Sequence, residues 1–340
     1  MASQLPTNTF TGGLHASNTV VMNSSVDGGD NSIRFLGNGG RFPSVPTASG
    51  WAVGNKFINN TSTNADDIAF YLDDQDSIEV IGNTISDMRT TSTFTGYGIQ
   101  MPEGMNFLIT ANNIVAPYTG IYVQYANSAK TPDGFAEVSN NMISSQVNHG
   151  LWLQRALSVN IWNNTVYCGS ADAANDAGIY LDDGFGTPAM DIIDCRNNVV
   201  FALNAPAFRV DEPDTIFLKL DNNVYHTGGS DLLNIDGAIY TDLVTYQGVS
   251  TSLNASSLDG DPQFTSITDL HIIGAFINDA GDNSVPLLVD IDGDARPIAG
   301  ATTMDPGADE FNPPTCPPPS NLTGNFLTSN GIVIDWDGTA

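Results

Sequence analysis

The stretch Val159-Asn160-Ile161-Trp162-Asn163-Asn164 alternates apolar and polar side chains and ends on an asparagine. A period of two places Val159 and Ile161 on one face, which is typical of a β-strand. A further apolar residue, Val166, follows two positions after Asn164. The stretch therefore predicts two short strands joined by a tight bend.

The same pattern recurs between residues 55 and 223, at intervals of 23 to 34 residues. The asparagines that mark it are Asn55, Asn83, Asn113, Asn141, Asn164, Asn198 and Asn223. A second set of short apolar runs lies between them, at 70–72, 98–101, 120–123, 150–153, 178–181 and 207–210. Self-similarity on this scale indicates stacked repeats, because strands this short bury an apolar interior only by stacking. The sequence therefore predicts an all-β fold, a parallel β-helix (solenoid).

We expect the recurring asparagines to be structural rather than catalytic. A side-chain amide both donates and accepts hydrogen bonds, so each asparagine can bond those in the turns above and below it. Cys195 takes the place of an inward apolar residue, and we expect it to be a buried thiol. The three cysteines do not indicate a disulfide framework.

Charge and composition limit the classes of partner. The 340 residues include 38 acidic and 10 basic side chains, for a formal net charge of -28. Such a surface repels phosphate backbones and anionic bilayers, so we expect no nucleic acid partner. No run of 18 apolar residues is present, so we expect no membrane insertion. The segment 1–6 lacks the basic and apolar parts of a signal peptide.

Over roughly residues 15 to 245, this repeat pattern resembles the right-handed parallel β-helix proteins of the pectin-lyase-like group. The resemblance implies a right-handed coil and says little about activity. After Tyr225 the repeats fade, and five ordered motifs are similar to the closing segment of exported bacterial β-helix proteins of the choice-of-anchor type. These motifs lie at 259–264, 269–272, 277–281, 290–297 and 305–311. This second resemblance implies a secreted or cell-surface bacterial protein.

The chain therefore divides into five parts in our interpretation. Residues 1–50 form an N-terminal cap with irregular first turns, because the spacing of the runs at 20–23 and 33–38 is too short for full turns. Residues 51–245 form the β-helix and 246–311 the closing segment, which we expect to cover the open end of the stack. Residues 312–320 are a proline-rich linker, and 321–340 resemble the truncated start of a fibronectin type III module.

Three aspartates in the closing segment alternate along the chain, at Asp290, Asp292 and Asp294. Carboxylates at such spacing can supply oxygen ligands to calcium, which is the one cofactor that the sequence suggests. The pattern lacks the terminal glutamate of an EF-hand loop. A capping turn with solvated carboxylates is the alternative interpretation.

The second strand of each turn carries one side chain that points away from the core. From turn to turn this position is Tyr71, Gln100, Tyr122, Trp152, Tyr180 and Arg209. Neighbouring turns lie about 4.8 Å apart, so these side chains should form one outer stripe. Aromatic faces beside hydrogen-bonding groups suit sugar rings. The predicted substrate-binding residues are Tyr71, Tyr122, Trp152, Tyr180, Arg209, Gln124 and Gln154. Alternatively, these aromatics pack under a long loop such as 87–95 or 171–176.

Acidic side chains follow the same strands in the later turns. Carboxylates one turn apart should lie roughly 5 Å apart, comparable with the separation in retaining glycosidases. The candidate catalytic residues are Asp182, Asp183, Asp211, Glu212, Arg155 and His149. Polygalacturonases also carry aspartates from neighbouring turns, but their Asn-Thr-Asp, Gly-Asp-Asp, Gly-His-Gly and Arg-Ile-Lys motifs are absent here. Lyase chemistry is less favoured, because this face has few cations.

We therefore expect an exported or cell-surface β-helix protein that binds a polysaccharide or cell-surface glycan along the outer stripe. A glycan-cleaving enzyme that uses the acidic residues is the first alternative. A structural adhesin or stalk without catalysis is the second. The sequence leaves the sugar and the oligomeric state open.

Overall fold

Stacked turns of chain form the body of the protein. The computed structural model describes residues 17–37, 50–89, 95–127, 134–184, 190–250 and 252–311, and the backbone of 323–327 and 331–335. Each turn contributes one strand to each of three long sheets, here named A, B and C in the order in which the chain visits them. Consecutive turns pair in parallel and in register. This is the predicted parallel β-helix.

Sheets A and B meet at the bend that the sequence pattern predicted. The strands of sheet A are Val20–Met22, Lys56–Ile58, Glu79–Ile81, Leu108–Thr110, Ala136–Ser139, Leu157–Trp162, Asp191–Arg196 and Phe217–Asp221. The strands of sheet B are Ser25–Asp27, Thr61–Thr63, Thr84–Ser86, Asn113–Ala116, Met142–Ser145, Thr165–Cys168, Val199–Ala202, Val224–Thr227 and Leu258–Asp259.

Sheet C holds the second strand of the sequence pattern and positions the candidate site. Its parallel strands are Asn31–Leu36, Ile68–Asp73, Tyr97–Met101, Ile121–Val123, Leu151–Gln154, Ile179–Asp182, Phe208–Val210 and Leu233–Ile235. A small sheet lies at the turn between sheet C and sheet A, formed by Ala52–Val53, Gln75–Asp76 and Gly104–Met105.

Few elements depart from this scheme. The antiparallel strand Ala238–Tyr240 ends sheet C, and hairpins form from Phe264–Ser266 with Asp269–Ile272 and from Thr323–Leu327 with Gly331–Asp335. The helical elements are Leu243–Gln247 and the 3-10 turns Asp214–Ile216 and Ala275–Ile277. None of the helices in the described part of the chain has the length and apolar character to span a membrane.

Alternation along each strand fills the interior. In the turn that contains Asn164, Val159, Ile161 and Val166 are fully buried, and each stacks on an equivalent apolar residue in the turns beside it. Complete burial of such a side chain stabilises the fold by about 1.5–3 kcal/mol. Cys195 occupies one of these inward positions and is fully buried, as predicted.

The predicted asparagine ladder is present, with two corrections to its members. Its rungs, here called the inner asparagine column, are Asn60, Asn83, Asn112, Asn141, Asn164, Asn198 and Asn223. In every rung but the last, the Nδ2 group donates to Oδ1 of the next asparagine, at 2.9 to 3.0 Å. The assignment of Asn113 to the ladder was wrong, because Asn113 is exposed and Asn112 is the rung. Asn55 is buried but lies at a different bend, where it donates to Gln75.

A residue with positive φ precedes every rung. These corner residues are Asn59, Gly82, Ala111, Asn140, Asn163, Asn197 and Asn222. Asparagine and glycine tolerate the left-handed region best, which explains the Asn-Asn pairs in the sequence. Each pair therefore has two functions: the first residue makes the corner and the second makes the ladder.

The expectation of irregular first turns was wrong. The strands Val20–Met22, Ser25–Asp27 and Asn31–Leu36 form a complete turn that pairs in register with the next one. The short spacing of the apolar runs suggested an incomplete turn, because the connections in this turn are very short. The following turn includes residues 38–49, which lie outside the described part of the chain. The proline-rich linker and Cys316 also lie outside it.

Only the beginning of the closing segment lies where it was expected. Leu243 and Tyr246 of the short helix pack into the core at the end of the stack, and the strand Leu258–Asp259 pairs with Val224–Thr227 of sheet B. Residues 275–311 instead run back along the bend between sheets A and B. There the side chains of four corner residues form hydrogen bonds with this segment. The bonds join Asn140 to Val289, Asn163 to Asp305, Asn197 to Asp282 and Asn222 to Ala280.

A buried ion pair fixes this segment to the stack. The guanidinium of Arg296 donates to Glu310 at 3.0 Å and to Oδ1 of Asn140 at 3.1 Å. It also donates to the backbone carbonyls of Asp305 and Gly307. Both charged side chains are almost completely buried. The four hydrogen bonds of the guanidinium offset part of the cost of removing the charges from water, but Nε of Arg296 and Oε2 of Glu310 are buried without a hydrogen-bond partner.

Candidate functional site

The outward positions of sheet C form the predicted stripe. Register pairs Tyr71 with Gln100, then Tyr122, Trp152, Tyr180 and Arg209 in consecutive turns. We call these six residues the outer column. Sequence alternation alone was enough to place them, because neighbouring turns keep the same register.

The aromatic rings of the outer column stack on one another. The centroids of Tyr122 and Trp152 lie 4.2 Å apart with an angle of 27° between the rings, and those of Trp152 and Tyr180 lie 6.0 Å apart at 16°. Arg209 continues the stack, with its guanidinium 4.6 Å from the Tyr180 centroid. The ring faces therefore contact and cover each other. A row of open aromatic faces, as the sequence suggested, is not what forms.

Exposure differs along this column. Tyr71, Tyr122 and Tyr180 are at most 9% exposed, whereas Trp152 is partly exposed. Arg209 donates to the backbone carbonyls of Ala174 and Asn175, so the loop at 171–176 lies against one end of the column. This is the covering loop of the alternative interpretation. The other suggested loop includes 90–94, which lie outside the described residues.

Three of the candidate carboxylates come together where sheet C ends. Among the described residues, Asp182, Asp183 and Asp211 offer oxygen atoms that all lie within 4.8 Å of one another. We call these three residues the acidic group. They converge because Asp182 and Asp211 follow paired positions of neighbouring strands. Three carboxylates at this separation could hold a divalent cation through oxygen or hydrogen-bond a sugar.

Each aspartate of the paired turns has hydrogen-bond donors around it. Asp182 accepts from the indole Nε1 of Trp152 at 3.3 Å, from Nε2 of Gln154 at 2.8 Å and from the backbone N–H of Gly184 at 2.7 Å. Asp211 accepts from Nε of Arg209 at 3.0 Å and from the hydroxyl of Tyr180. The outer column and the acidic group therefore form one hydrogen-bonded unit.

The neighbouring carboxyls retain protons more readily than free ones. Burial, then the negative charges of Asp182 and Asp211, raise the pKa of Asp183. Burial, then the charge of Asp183, raises the pKa of Glu212. Arg155 acts against the shift at Asp183. A carboxyl with a raised pKa beside an ionised one is the arrangement that general acid catalysis uses.

His149 does not belong to this group. His149 precedes its strand, whereas Asp182 ends its strand and Asp211 follows its own, so they lie at opposite edges of sheet C. The ring is buried against Trp152 and Tyr180, and its Nδ1 accepts from the backbone N–H of Ala177 at 3.1 Å. Burial, then the charge of Arg209, lowers the pKa of His149 to about 3. A neutral, buried imidazole cannot serve these carboxylates as acid or base.

The remaining predicted residues border the acidic group. The guanidinium of Arg155 lies over the ring of Tyr125, 4.5 Å from its centroid. Gln124 and Gln154 each directly follow one of two paired residues in neighbouring strands, so their amides lie in neighbouring turns. Arg155 supplies positive charge near Asp183, and the two glutamines supply neutral donors and acceptors.

A second acidic pair was missed as a candidate. Asp74 and Glu103 lie at the same edge of sheet C in earlier turns, and Asp73 accepts a hydrogen bond from the Tyr71 hydroxyl at 3.3 Å. Burial, then a hydrogen bond and the charges of Asp74 and Asp73, raise the pKa of Glu103 to about 8. The signal was in the sequence, since acidic residues follow the apolar runs in both turns.

The predicted calcium ligands do not converge. Both carboxylate oxygens of Asp290 accept backbone N–H bonds, from Asp292 and Asp294 at one oxygen and from Glu310 at the other. Asp290 therefore organises a turn, as the alternative interpretation proposed, but its carboxylate is buried rather than solvated. Asp292 faces His271 and Asp309 instead, and these three form the other group of convergent ligand atoms among the described residues.

The comparisons with known proteins agree with this architecture. A family model described as "Right handed beta helix region" matches residues 47–228, which is more than half of the chain. No curated protein and no solved structure gives a significant match. The matched range includes the outer column, the acidic group and every strand of sheets A and B except Val20–Met22, Ser25–Asp27 and Leu258–Asp259. The chain belongs to the right-handed β-helix family.

Proposed function

We propose that this protein is exported or displayed on a cell surface and binds a polysaccharide along the edge of sheet C. The contact region comprises Trp152, Gln154, Arg155 and the acidic group. The observation that carries the proposal is the convergence of three carboxylates beside an indole edge and an amide in neighbouring turns. Carboxylates and amides bind sugar hydroxyls, and the repeat of about 4.8 Å per turn offers such groups in a row.

Charge at this edge indicates the class of glycan. Asp182, Asp183, Asp211 and Glu212 outnumber the nearby Arg155 and Arg209, and Arg209 is already paired with Asp211. A uronate or sulfated polymer would meet net repulsion. The proposal therefore favours neutral or amino-sugar polymers.

Glycan cleavage is a second candidate, favoured by the short separation of Asp182 and Asp211 and by the raised pKa of Asp183. Retaining glycosidases place two carboxyls about 5–5.5 Å apart. However, Asp182 accepts hydrogen bonds from Trp152, Gln154 and the Gly184 amide. A carboxylate that accepts three hydrogen bonds is oriented to bind a sugar and is less available as a nucleophile. Binding is therefore the primary proposal.

Affinity electrophoresis through gels that contain a neutral polysaccharide (a soluble glucan, mannan or glycol chitin) tests the proposal. The wild-type protein should be retarded by at least one of them. Asp182→Asn and Gln154→Ala should weaken retention about tenfold, which corresponds to the loss of about 1.4 kcal/mol. Asp87 is an exposed residue directly after the strand Thr84–Ser86 of sheet B, so Asp87→Asn is the matched control and should leave retention unchanged.

The same samples separate the alternatives. Release of reducing ends that stops in Asp182→Asn would replace binding by cleavage as the function. Absence of retention on every polymer, with identical behaviour of all variants, would contradict the proposal and favour a structural stalk.

A further inference from the structure

A histidine and two aspartates of the closing segment face each other away from sheet C. His271 lies in the strand Asp269–Ile272, Asp292 in the turn that Asp290 organises, and Asp309 near the end of the segment. One potential ligand atom from each of the three lies within 4.8 Å of the others. Three separate stretches of chain thus contribute one metal-ligating side chain each.

One hydrophobic cluster fixes the backbone at all three positions. The residue before each potential ligand is apolar: Leu270 before His271, Ile291 before Asp292 and Ala308 before Asp309. These three residues pack in the same cluster with Met142 and Tyr167 of the stack. The potential ligands therefore rest on the rigid body of the β-helix, which favours a preorganised site.

Backbone hydrogen bonds join the two loops. The N–H of Ile291 donates to the carbonyl of Ala308 at 2.9 Å. Asp290 accepts from the N–H groups of Asp292 and Glu310, at 3.0 Å in each case. Asp292 and Asp309 are thereby held at neighbouring places on two linked loops.

The imidazole of His271 is also oriented. Its Nδ1 bonds the carboxylate of Asp269, and its Nε2 points to Oδ2 of Asp292 at 2.9 Å. In metal sites the second ring nitrogen of a histidine ligand almost always bonds a carboxylate or carbonyl, which fixes the tautomer that leaves the other nitrogen free to coordinate. Asp269 occupies that position.

We propose that His271 Nε2 and one carboxylate oxygen each from Asp292 and Asp309 bind a first-row divalent cation such as Zn²⁺, with Asp269 as the residue that orients the imidazole. One nitrogen and two oxygens suit zinc, which commonly takes water as its fourth ligand. Calcium prefers oxygen ligands alone, so an imidazole at the centre disfavours it. The positive charge also compensates three clustered carboxylates. This proposal is independent of glycan binding.

A proton competes with the metal for the same histidine. Burial lowers the pKa of His271, but the hydrogen bonds to Asp269 and Asp292 outweigh it and raise that pKa to about 9. A protonated imidazole would link the carboxylates without any metal. The experiment must therefore decide between a metal site and an ion pair that excludes metal.

Isothermal titration of the untagged, chelator-treated chain with ZnCl2 at pH 8 makes that decision. We expect one Zn²⁺ per chain, and at least tenfold weaker binding for His271→Gln, Asp292→Ala and Asp309→Asn. Asp269→Asn should weaken binding by about 10–100-fold, as expected of an orienting residue. CaCl2 at the same concentration should give no competition.

Asp294→Asn is the matched control, because Asp294 is an exposed carboxylate of the same turn and does not belong to the cluster. Thermal melting without metal checks that each variant folds, and the exposed position of Asp292 makes Asp292→Ala the safest of them. Failure of the wild-type chain to bind Zn²⁺ would overturn the proposal in favour of the ion pair. Equal binding by wild type and Asp292→Ala would overturn it as well.

Discussion

The inner asparagine column and the outer column of sheet C are built from the same turns but follow opposite rules. Inside, the same residue recurs in seven turns, because an amide that bonds its copy above and below can be replaced by few other side chains. Outside, the residue changes from tyrosine to glutamine, tryptophan and arginine. Repetition thus indicates architecture, and variation within a fixed register indicates the face that is free to acquire chemistry.

The adjacent pair Asn112 and Asn113 tests this comparison with the largest expected effect. Asn112→Ala removes the acceptor of the backbone N–H and Nδ2 of Asn83 and the donor to Val80. Each buried group left unpaired costs about 1–3 kcal/mol, so we expect a loss of about 3–5 kcal/mol of unfolding free energy. Urea denaturation followed by circular dichroism measures it.

Asn113→Ala is the control and should change stability by less than about 0.5 kcal/mol, because Asn113 is exposed. Equal effects of the two substitutions would show that the ladder contributes nothing specific.

The acidic edge of the outer face should make stability depend on pH. The pKa of Glu103 is raised to about 8 in the folded chain from an ordinary value near 4.5. Between these pH values only the folded state keeps the proton on Glu103. The contribution of this proton to the free energy of unfolding is therefore present at low pH and is lost as pH rises through about 8. Glu103→Gln should remove this loss, which we expect to be on the order of 1–2 kcal/mol between pH 5 and pH 9.

Urea midpoints at several pH values measure this effect, with Asp87→Asn as the control from another face. If wild type and Glu103→Gln lost stability in parallel over this range, the pair of Asp74 and Glu103 would not be coupled as described.

The smallest effect is expected where the outer column joins the acidic group. Tyr180→Phe removes the hydroxyl that donates to Asp211, while Arg209 still bonds this carboxylate. A double-mutant cycle of Tyr180→Phe and Asp211→Asn should give a coupling energy of about 1 kcal/mol. A coupling near zero would separate the two features that we treat as one unit.

Much of the fold could be predicted because register repeats faithfully from turn to turn. The outer column and the convergence of Asp182 with Asp211 followed from counting positions along the apolar runs. The error at Asn113 came from a doublet, since Asn112-Asn113 looks like Asn140-Asn141 although its first residue, not its second, is the rung. Here Ala111 takes the corner that an asparagine makes elsewhere, and alternation alone does not show this shift.

Contacts between side chains were less accessible. Ring stacking in the outer column depends on rotamers and on spacing between turns, so the sequence suggested open faces where the rings cover each other. The burial of His149 depends on Trp152 and Tyr180 from other turns. The group of His271, Asp292 and Asp309 joins a strand and two loops, and no local sequence pattern encodes their meeting. The asparagine doublets did carry a signal for the path of the closing segment.

That path affects how the molecule opens. A stack of repeats in which each turn touches only its neighbours can fray one turn at a time. Here the segment 280–305, which we call the strap, accepts hydrogen bonds from the corner residues Asn140, Asn163, Asn197 and Asn222. These four turns should therefore exchange their amide hydrogens as one cooperative block. The corners at Gly82 and Ala111 have no amide side chain for a strap to hold. Hydrogen exchange should therefore enter from the N-terminal turns and stop at the strapped block.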